Sequence, residues 1–193
     1  MSHSADLDRK VLAAVERLGR ALRAARQDVA TRHEVSLLGL SVIETLADGR
    51  PRRVGDLAAE LDVSQPTVSD AVTVLDKRGL IRRDRDPADL RSTLVALTDD
   101  GDHLAADTAT ELAPLLAAGS GTDADRATTL RVLLGEIARL QAAGVITVNR
   151  SCLSCRHYQP PGPRTRARCL LLATALADRD LRVDCPEHEP ILA

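Results

Sequence analysis

The sequence predicts a mainly α-helical protein with one small β-hairpin and a separate cysteine-rich segment at its C-terminal end. Three observations lead to this prediction. Apolar residues recur at helical spacing through most of the first 144 residues, the spacing changes to two between residues 80 and 97, and all four cysteines follow residue 150. A chain of 193 residues can form one ordinary domain with an appendage, or two small domains.

The composition excludes several classes of protein. Apolar residues make up 44% and charged residues 28% of the chain, as in soluble globular proteins, and no apolar run approaches the length of a membrane span. The N-terminus lacks the apolar stretch of a secretory signal, so we expect a cytoplasmic protein. Because Tyr158 is the only aromatic residue and the net charge is −2, neither single-strand stacking nor general polyanion binding is expected.

Residues 1–35 predict one long helix with a narrow apolar stripe. The stripe consists of residues at steps of three and four, namely Leu7, Val11, Val15, Leu18, Leu22, Ala25 and Val29. A terminal helix of this length with so narrow a stripe is typical of packing against a partner. The alternative is a helix bundle within a monomer.

The next segment, residues 36–101, begins with helices that are joined by a tight turn. A helix capped by Ser36 and stopped at Gly49 comes first. A short helix over 54–61 and a tight turn then lead into a helix that Ser64 caps. This order is the geometry of a helix-turn-helix, in which the second helix enters the major groove of double-stranded DNA.

The helix that Ser64 caps carries side chains suited to reading base edges. Ser64, Gln65, Thr67 and Ser69 place hydroxyl and amide groups in its first turn. Such groups can reach base edges in the major groove, and the free N–H groups of the same helix end can hold a phosphate. The alternative is an ordinary helix cap without a DNA contact.

The period of the apolar residues changes directly after this helix. Leu80–Arg83 and Thr93–Leu97 predict two short strands, joined by the turn-rich segment Asp84–Ser92. An arginine near a hairpin tip, such as Arg91, can insert into a narrow minor groove, and Asp89 can hold it in place by a charge-assisted hydrogen bond. The alternative is a solvated face, because nearby aspartates nearly offset the arginines of the hairpin.

Two further helices are predicted after the hairpin. The first starts at Thr98, and Pro114 predicts a kink within it. The second opens with a capping box at Thr122 and Asp125 and closes at Gly144.

At this point the run from Arg53 to Gly101 resembles the winged helix-turn-helix of the MarR family of bacterial transcriptional regulators. The stretches that carry the resemblance are V-G-D-L-A-A-E-L (54–61), S-Q-P-T-V-S (64–69), V-L-D-K-R-G-L-I-R-R (74–83), D-P-A-D-L-R-S (86–92) and L-T-D-D-G (97–101). With the flanking helices, the resemblance covers about residues 5–143. Together these stretches are specific for the family, although each stretch alone is only weak evidence for it.

The resemblance implies roles for individual residues. Carried over by position, Gln65, Thr67 and Ser69 face the major groove, while Arg91 faces the minor groove with Asp89 bracing it. On geometry alone, Arg53 and Lys77 are candidates for phosphate contacts.

The resemblance also implies an assembly and a signal. Residues 1–35 and 102–144 correspond to dimerisation helices on either side of the DNA-binding domain at 36–101. A homodimer would then read a pseudo-palindromic operator, typically as a repressor, with a possible small-molecule effector between the dimer helices and the DNA-binding domain.

Residues 145–193 form a separate module that departs from this family pattern. Four closely placed cysteines in a reducing compartment indicate a metal site before disulfides, and thiolates bind zinc or the iron of a sulfide cluster. A small tail with almost no core more commonly holds zinc, whereas scattered cysteines and a Cys-Pro step suit an iron–sulfur cluster. Redox thiols without a metal are a third alternative. The expected ligands are Cys152, Cys155, Cys169 and Cys185, and an alternative set includes His188 in place of one cysteine.

A DNA-binding domain joined to a cysteine module suggests a function with two parts. We hypothesise that the metal or redox state of the module modulates DNA binding. The alternative is a structural zinc staple, with a small ligand in the dimer pocket as the signal. No histidine lies in a recognisable catalytic motif, so the chain is not expected to be an enzyme. A protein-interaction module without DNA binding is a remote alternative.

Overall fold

The computed structural model describes residues 3–117 and 121–191, which form two compact units that divide between residues 118 and 119. The helices are α1 (His3–Arg32), α2 (Leu37–Leu46), α3 (Val54–Glu60), α4 (Gln65–Lys77), α5 (Asp99–Ala117) and α6 (Asp123–Ala142). The strands are β1 (Arg52–Arg53), β2 (Ile81–Asp86), β3 (Asp89–Leu97), β4 (Tyr158–Gln159), β5 (Ala167–Cys169) and β6 (Thr174–Leu176). Cys152–Ser154 and Asp178–Asp180 are short 3₁₀ helices.

The first unit contains α1–α5 and a sheet with strand order β1-β3-β2. Its core is entirely aliphatic, as the lack of tryptophan and phenylalanine requires. Helix α2 lies at the centre of this core, and α4 contributes a buried face. The largest fully buried aliphatic side chains of the unit are Leu40, Ile43, Leu46, Leu57, Leu75, Val42, Val68, Val72 and Val95, and the Thr108 side chain of α5 is also fully buried.

Helix starts follow the predicted caps. The Ser36 hydroxyl accepts the Gly39 N–H at 2.9 Å, and the Ser64 hydroxyl accepts the Thr67 N–H at 3.4 Å. Thr122 begins α6 with the predicted capping box. These caps satisfy backbone N–H groups that have no partner within the helix, which is why the polar residues fix the helix starts.

The hairpin is longer than predicted. Strand β2 continues to Asp86 and β3 begins at Asp89, so only Pro87 and Ala88 remain in the turn, rather than the whole segment 84–92. Polar residues occupy both faces of these strands beyond the core, and the alternation that marks a strand is therefore absent. The added strand β1 pairs with β3 through two residues, which is too short to leave a pattern in the sequence.

The second unit contains α6, the cysteine-rich segment and a sheet with strand order β4-β5-β6. A boundary at residue 144, as composition predicts, separates α6 from the cysteines, but in the structure α6 packs on the 3₁₀ helices of the module. Leu134 of α6 is 1% exposed, and Arg131 donates to the Asp178 carboxylate at 2.9 Å. Among the described residues, no helix is both long and apolar enough to cross a membrane.

Candidate nucleic-acid interface and cysteine site

The first turn of α4 presents polar side chains to solvent. Gln65 and Thr67 are exposed, and Ser69 is half-buried. The Ser64 and Thr67 hydroxyls lie 2.6 Å apart. The opposite face of the helix is buried through Val68, Ala71, Val72 and Leu75. Because this face fixes the helix in the core, the polar first turn is held outward on a rigid support.

A solvent-open groove lies between this turn and the wing, the hairpin formed by β2 and β3. Gln65 borders the groove together with Arg53, Ser92 and Thr93, and the volume of the groove is about 350 Å³. The structure therefore brings a residue predicted to read bases next to one predicted to bind phosphate. The sequence separates the two by only twelve positions, but the wing residues opposite them come from β3.

Arg53 has a partner that the sequence does not reveal. Its guanidinium donates to the Asp86 carboxylate, with Nε at 2.7 Å, and the Asp86 side chain is 8% exposed. The same carboxylate accepts the Ala88 N–H at 2.8 Å. The Ala88 N–H and the Arg53 guanidinium hold the pKa of Asp86 below its ordinary value, and the hydrogen bond that Arg53 donates to Asp86 raises the pKa of Arg53. Arg53 thus anchors the wing turn to the start of α3, and part of its guanidinium stays exposed.

Most arginines of the winged helix-turn-helix are also engaged within the protein. Arg83 donates to Asp76 of α4, and Arg82 pairs with Asp84 at 3.2 Å. Arg78 donates to the backbone carbonyls of the two residues that directly follow α1. These arginines fasten the wing and α4 to their surroundings. Their positive charge is therefore partly compensated before any DNA is bound.

Lys77 and Arg85 differ from these arginines. Both are exposed, and in the described part of the chain neither side chain has a hydrogen-bonding or ionic partner. Lys77 lies at the end of α4. Arg85 lies in β2, directly before the position at which the pairing of β2 with β3 shifts its register. Lys77 therefore stays a predicted phosphate contact. Arg85 is a candidate that the sequence alone did not separate from its neighbours.

The predicted contact of Arg91 lies outside the described residues. The backbone of Arg91 belongs to β3, but its side chain is not among the described ones. Asp89 is half-buried and accepts the Ser92 hydroxyl at 2.7 Å. The bracing of Arg91 by Asp89 therefore stays a prediction.

The four cysteines border one cavity of about 20 Å³, which we name the cysteine cavity. Different elements position them. Cys152 begins a 3₁₀ helix, Cys155 follows it, Cys169 ends β5, and the Cys185 N–H is fixed to the Arg150 carbonyl at 3.0 Å. The remaining lining is largely apolar and consists of Tyr158, Leu171, Leu172, Leu176, His157 and Glu187.

Arg182 contacts two of the sulfurs in the cysteine cavity. Its backbone N–H lies 3.2 Å from Cys152 Sγ, and its guanidinium lies 3.6 Å from Cys185 Sγ. Burial raises the pKa of Cys152, while its hydrogen bond with the Arg182 N–H acts in the opposite direction. The hydrogen bond to Cys185 raises the pKa of Arg182. No pattern in the sequence marks Arg182 for this position.

The two histidines of the module differ in their relation to the cysteine cavity. His188 does not border it, and its Nε2 lies 3.0 Å from the Ser154 hydroxyl. His157 borders the cavity, but its Nε2 lies 3.1 Å from Glu189 Oε1. Within the described ranges, no three His, Cys, Asp or Glu side chains converge closely enough to hold one ion.

Comparisons with known proteins agree with the winged helix-turn-helix geometry. Residues 35–92 match the family model described as MarR family. A solved MarR family transcription regulator is 23% identical, with a TM-score of 0.63 over 74% of this chain and 95% of its own. No curated protein matches the chain in sequence.

Two further solved structures are described with their ligands. A MarR family regulator from Listeria monocytogenes, described as putative and complexed with 26mer DNA, is 18% identical, with a TM-score of 0.60 over 69% of this chain and 89% of its own. CouR from Rhodococcus jostii, bound to p-coumaroyl-CoA, is 23% identical, with a TM-score of 0.55 over 65% of this chain and 89% of its own. The chain thus has the winged helix-turn-helix fold of MarR-type regulators, which was the fold expected from its sequence.

Proposed function

We propose that the chain is a MarR-family transcription regulator that binds a pseudo-palindromic operator in double-stranded DNA as a homodimer and acts as a cytoplasmic repressor. The observation that carries this proposal is the exposed polar first turn of α4 beside an anchored wing. In this type of fold the helix enters a major groove of DNA, and a neighbouring wing can reach the adjacent minor groove. The family match over residues 35–92 supports the same function.

The apolar stripe of α1 supports the homodimer. Leu7, Val11 and Leu18 of the stripe are each more than half exposed within the described chain, and so is Leu12 beside the stripe. Contiguous apolar surface of this kind marks an interaction site, because a soluble monomer rarely leaves it in contact with water. A second copy of α1 presents the same stripe and can cover it.

The test is an electrophoretic mobility shift on a palindromic operator with two matched variants. Arg91→Ala should weaken binding by about 1–3 kcal/mol, or about 5- to 150-fold, because a specific groove contact is lost. Arg23→Ala removes the same charge from an exposed position on α1 and should change binding little. Equal affinity of both variants and the native protein would contradict the role proposed for Arg91.

We also propose that the state of the cysteine module modulates operator binding. A route exists within the second unit, from the cysteine loop to α6. The Asn149 side chain donates to Gln141 of α6 at 3.2 Å and accepts the Ser151 N–H at 2.9 Å, directly before Cys152. A change in the conformation of the Cys152 loop can therefore be transmitted through Asn149 to α6, a helix that the family pattern assigns to the dimer interface.

The test of this modulation compares the metal-loaded protein with a Cys152→Ser/Cys155→Ser variant. We expect different operator affinities for the two proteins, provided that both are dimeric and folded. Equal affinities would contradict a sensing role and favour a structural zinc staple, with a small ligand as the signal. Such ligands are seen in the solved structure of CouR, which is bound to p-coumaroyl-CoA.

A further inference from the structure

We propose that the hairpin formed by β4 and β5 is a second DNA-contacting element, whose arginines bind phosphates of double-stranded DNA. The inference rests on the proposed function, because it assigns a further contact to the DNA that the regulator binds. Its central observation is that Arg164, Arg166 and Arg168 are exposed on one hairpin and that, in the described chain, none of them pairs with a carboxylate. We name these three side chains the arginine face.

The sequence around the hairpin is free of acidic residues. No aspartate or glutamate occurs between Glu136 and Asp178, whereas three arginines fall within residues 164–168. The net charge of the whole chain is −2, so this segment carries a local positive charge that the overall composition conceals. A protein with little net charge can bind a polyanion only through such a local patch, because phosphate binding depends on the number of cations at the contact.

The alternation of β5 directs two of the arginines to solvent. Ala167 is buried and Cys169 borders the cysteine cavity, so these two residues form the inner face of the strand. Successive side chains of a strand point to opposite faces, which places Arg166 and Arg168 on the outer face, where both are exposed. The packing of the inner face therefore fixes the direction of the outer one.

The turn of the hairpin is tight and carries the third arginine. Gly162 and Thr165 exchange backbone hydrogen bonds at 3.0 and 3.3 Å, and Arg164 lies between them at the exposed tip. Residues 160–163 have the sequence Pro-Pro-Gly-Pro, and each proline confines its own φ to a narrow range. The arginines are thus presented on a backbone that loses little conformational freedom when a ligand binds.

The neighbours of the arginine face are neutral. Arg168 pairs through its backbone with Gln159 of β4 and Ala175 of β6, and its guanidinium donates to a backbone carbonyl at 3.4 Å. In the described part of the chain, the side chains of Arg164 and Arg166 have neither a hydrogen-bonding nor an ionic partner. The positive charge of the hairpin is therefore not neutralised within the protein.

The carboxylates of residues 145–193 are engaged elsewhere. Four of the five lie in ion pairs with arginines outside the hairpin, namely Asp178 with Arg131, Asp184 with Arg150, Glu187 with Arg182 and Glu189 with Arg156. The fifth, Asp180, accepts the Ala177 N–H at 2.8 Å. An external anion is therefore the partner that fits the arginine face.

The chemistry of the arginine face favours the phosphates of a duplex. A guanidinium binds phosphate through two parallel N–H···O hydrogen bonds. Alternate residues of a strand stand about 6.6–6.8 Å apart, so Arg166 and Arg168 can reach different phosphates of one DNA strand. Tyr158 is the only aromatic residue of the chain and borders the cysteine cavity, so the outer face lacks the stacking platform that single-stranded nucleic acid needs.

A lipid surface fits the arginine face less well than DNA does. Binding at a membrane surface combines cations with apolar side chains that enter the lipid. The exposed leucines of the module, residues 170–172, follow β5 at the end of the strand away from the turn that Arg164 occupies. The tip of the hairpin therefore presents a cation without a neighbouring leucine.

The experiment measures binding of the full chain by fluorescence anisotropy over a range of salt concentrations. The probes are random-sequence duplex DNA and the duplex that the protein selects from a pool of such DNA. Arg166→Ala should reduce the slope of log K against log salt concentration by about 1, and Arg164→Ala/Arg166→Ala/Arg168→Ala by about 2–3, because each lost phosphate contact contributes about 0.9. The reduction should be equal on both probes, since phosphate contacts carry no sequence information.

Two control variants separate the hairpin from a general loss of charge. Arg179→Ala removes the same charge from the same module at an exposed position outside the hairpin, and it should leave the slope unchanged. Arg166→Lys keeps the cation and should keep the slope. All of these side chains are exposed, so we expect the variants to have the native circular dichroism spectrum. Equal slopes for the triple variant and the native protein would overturn the inference, as would an equal loss in Arg166→Ala and Arg179→Ala.

The two probes distinguish failure of this inference from failure of the proposed function. Selective binding of one duplex that the triple variant retains in full contradicts the arginine face and leaves the regulator intact. Binding to duplex DNA without selection, but lost in the triple variant, supports the arginine face and contradicts the regulator. An absence of DNA binding overturns both. Binding to vesicles of anionic phospholipid that depends on the three arginines, with unchanged DNA affinity, would assign the hairpin to a membrane surface and overturn the inference.

Discussion

The contact between α5 and the base of the wing should make Gly101→Ala strongly destabilising. A Cβ at Gly101 would lie 2.0 Å from the Leu80 carbonyl oxygen and 3.2 Å from Leu97 Cδ2. Side-chain Cβ atoms essentially never approach closer than 3.0 Å, so α5 or the wing must move by about 1 Å. The Leu80 carbonyl also accepts the Thr98 N–H at 3.2 Å, and the displacement would disturb this contact at the start of α5.

The expected cost follows from the chemistry of overpacking. Inserting a methyl group into a tightly packed site costs about 1–3 kcal/mol. Gly19→Ala is the matched control, because Gly19 lies on exposed α1 with nothing within 4 Å of a Cβ. There alanine should stabilise the helix by up to about 1 kcal/mol. We therefore expect the free energies of unfolding of the two variants to differ by at least about 1 kcal/mol.

Urea unfolding followed by far-UV circular dichroism measures this difference. We expect Gly101→Ala to unfold at lower urea than the native protein and Gly19→Ala at equal or higher urea. If Gly101→Ala were as stable as Gly19→Ala, the close approach of α5 to Leu80 would be refuted.

Three further predictions concern charge, caps and pH. Operator affinity, measured by fluorescence anisotropy, should fall steeply as the salt concentration rises. Lys77→Ala should reduce the slope of log K against log salt concentration by about 1, and an unchanged slope would show that Lys77 does not contact a phosphate. Thr122→Ala should lower stability by about 1 kcal/mol in urea unfolding, whereas Thr122→Ser should retain the cap. Arg32 and His33 hold the pKa of Glu111 below its ordinary value, so its contribution to stability is present at neutral pH and is lost as the pH falls through the folded-state pKa. Glu111→Gln should therefore flatten the acid limb of a stability–pH curve, and an unchanged limb would contradict this linkage.

The helical part of the fold could be predicted from the sequence because its signals are local. Apolar residues at steps of three and four mark the buried faces of α2 and α4, and polar caps at Ser36, Ser64 and Thr122 mark where helices begin. The wing was predicted too short because its outer half is rich in charged and polar residues and carries no apolar alternation. The length of β2 is set instead by its pairing with β3 and by the ion pair between Arg53 and Asp86.

The candidate sites show the same limit. Arg82, Arg83 and Arg85 look alike in the sequence, but only the fold shows that Arg83 has an aspartate of α4 as its partner and that Arg85 has none in the described chain. The spacing of the cysteines predicted a common site, and in the structure all four border one cavity. The contact of Arg182 with two sulfurs depends on loop geometry that residue spacing does not encode.

The central claim is that this chain reads a two-fold symmetric DNA site through α4 and the wing. The most direct test is selection of bound sequences from a pool of random double-stranded DNA by the native protein, in parallel with a Gln65→Ala/Thr67→Ala variant. We predict enrichment of a pseudo-palindrome with half-sites about 34–36 Å apart, and loss or change of the half-site sequence in the variant. No enrichment, or the same motif for both proteins, would contradict the claim.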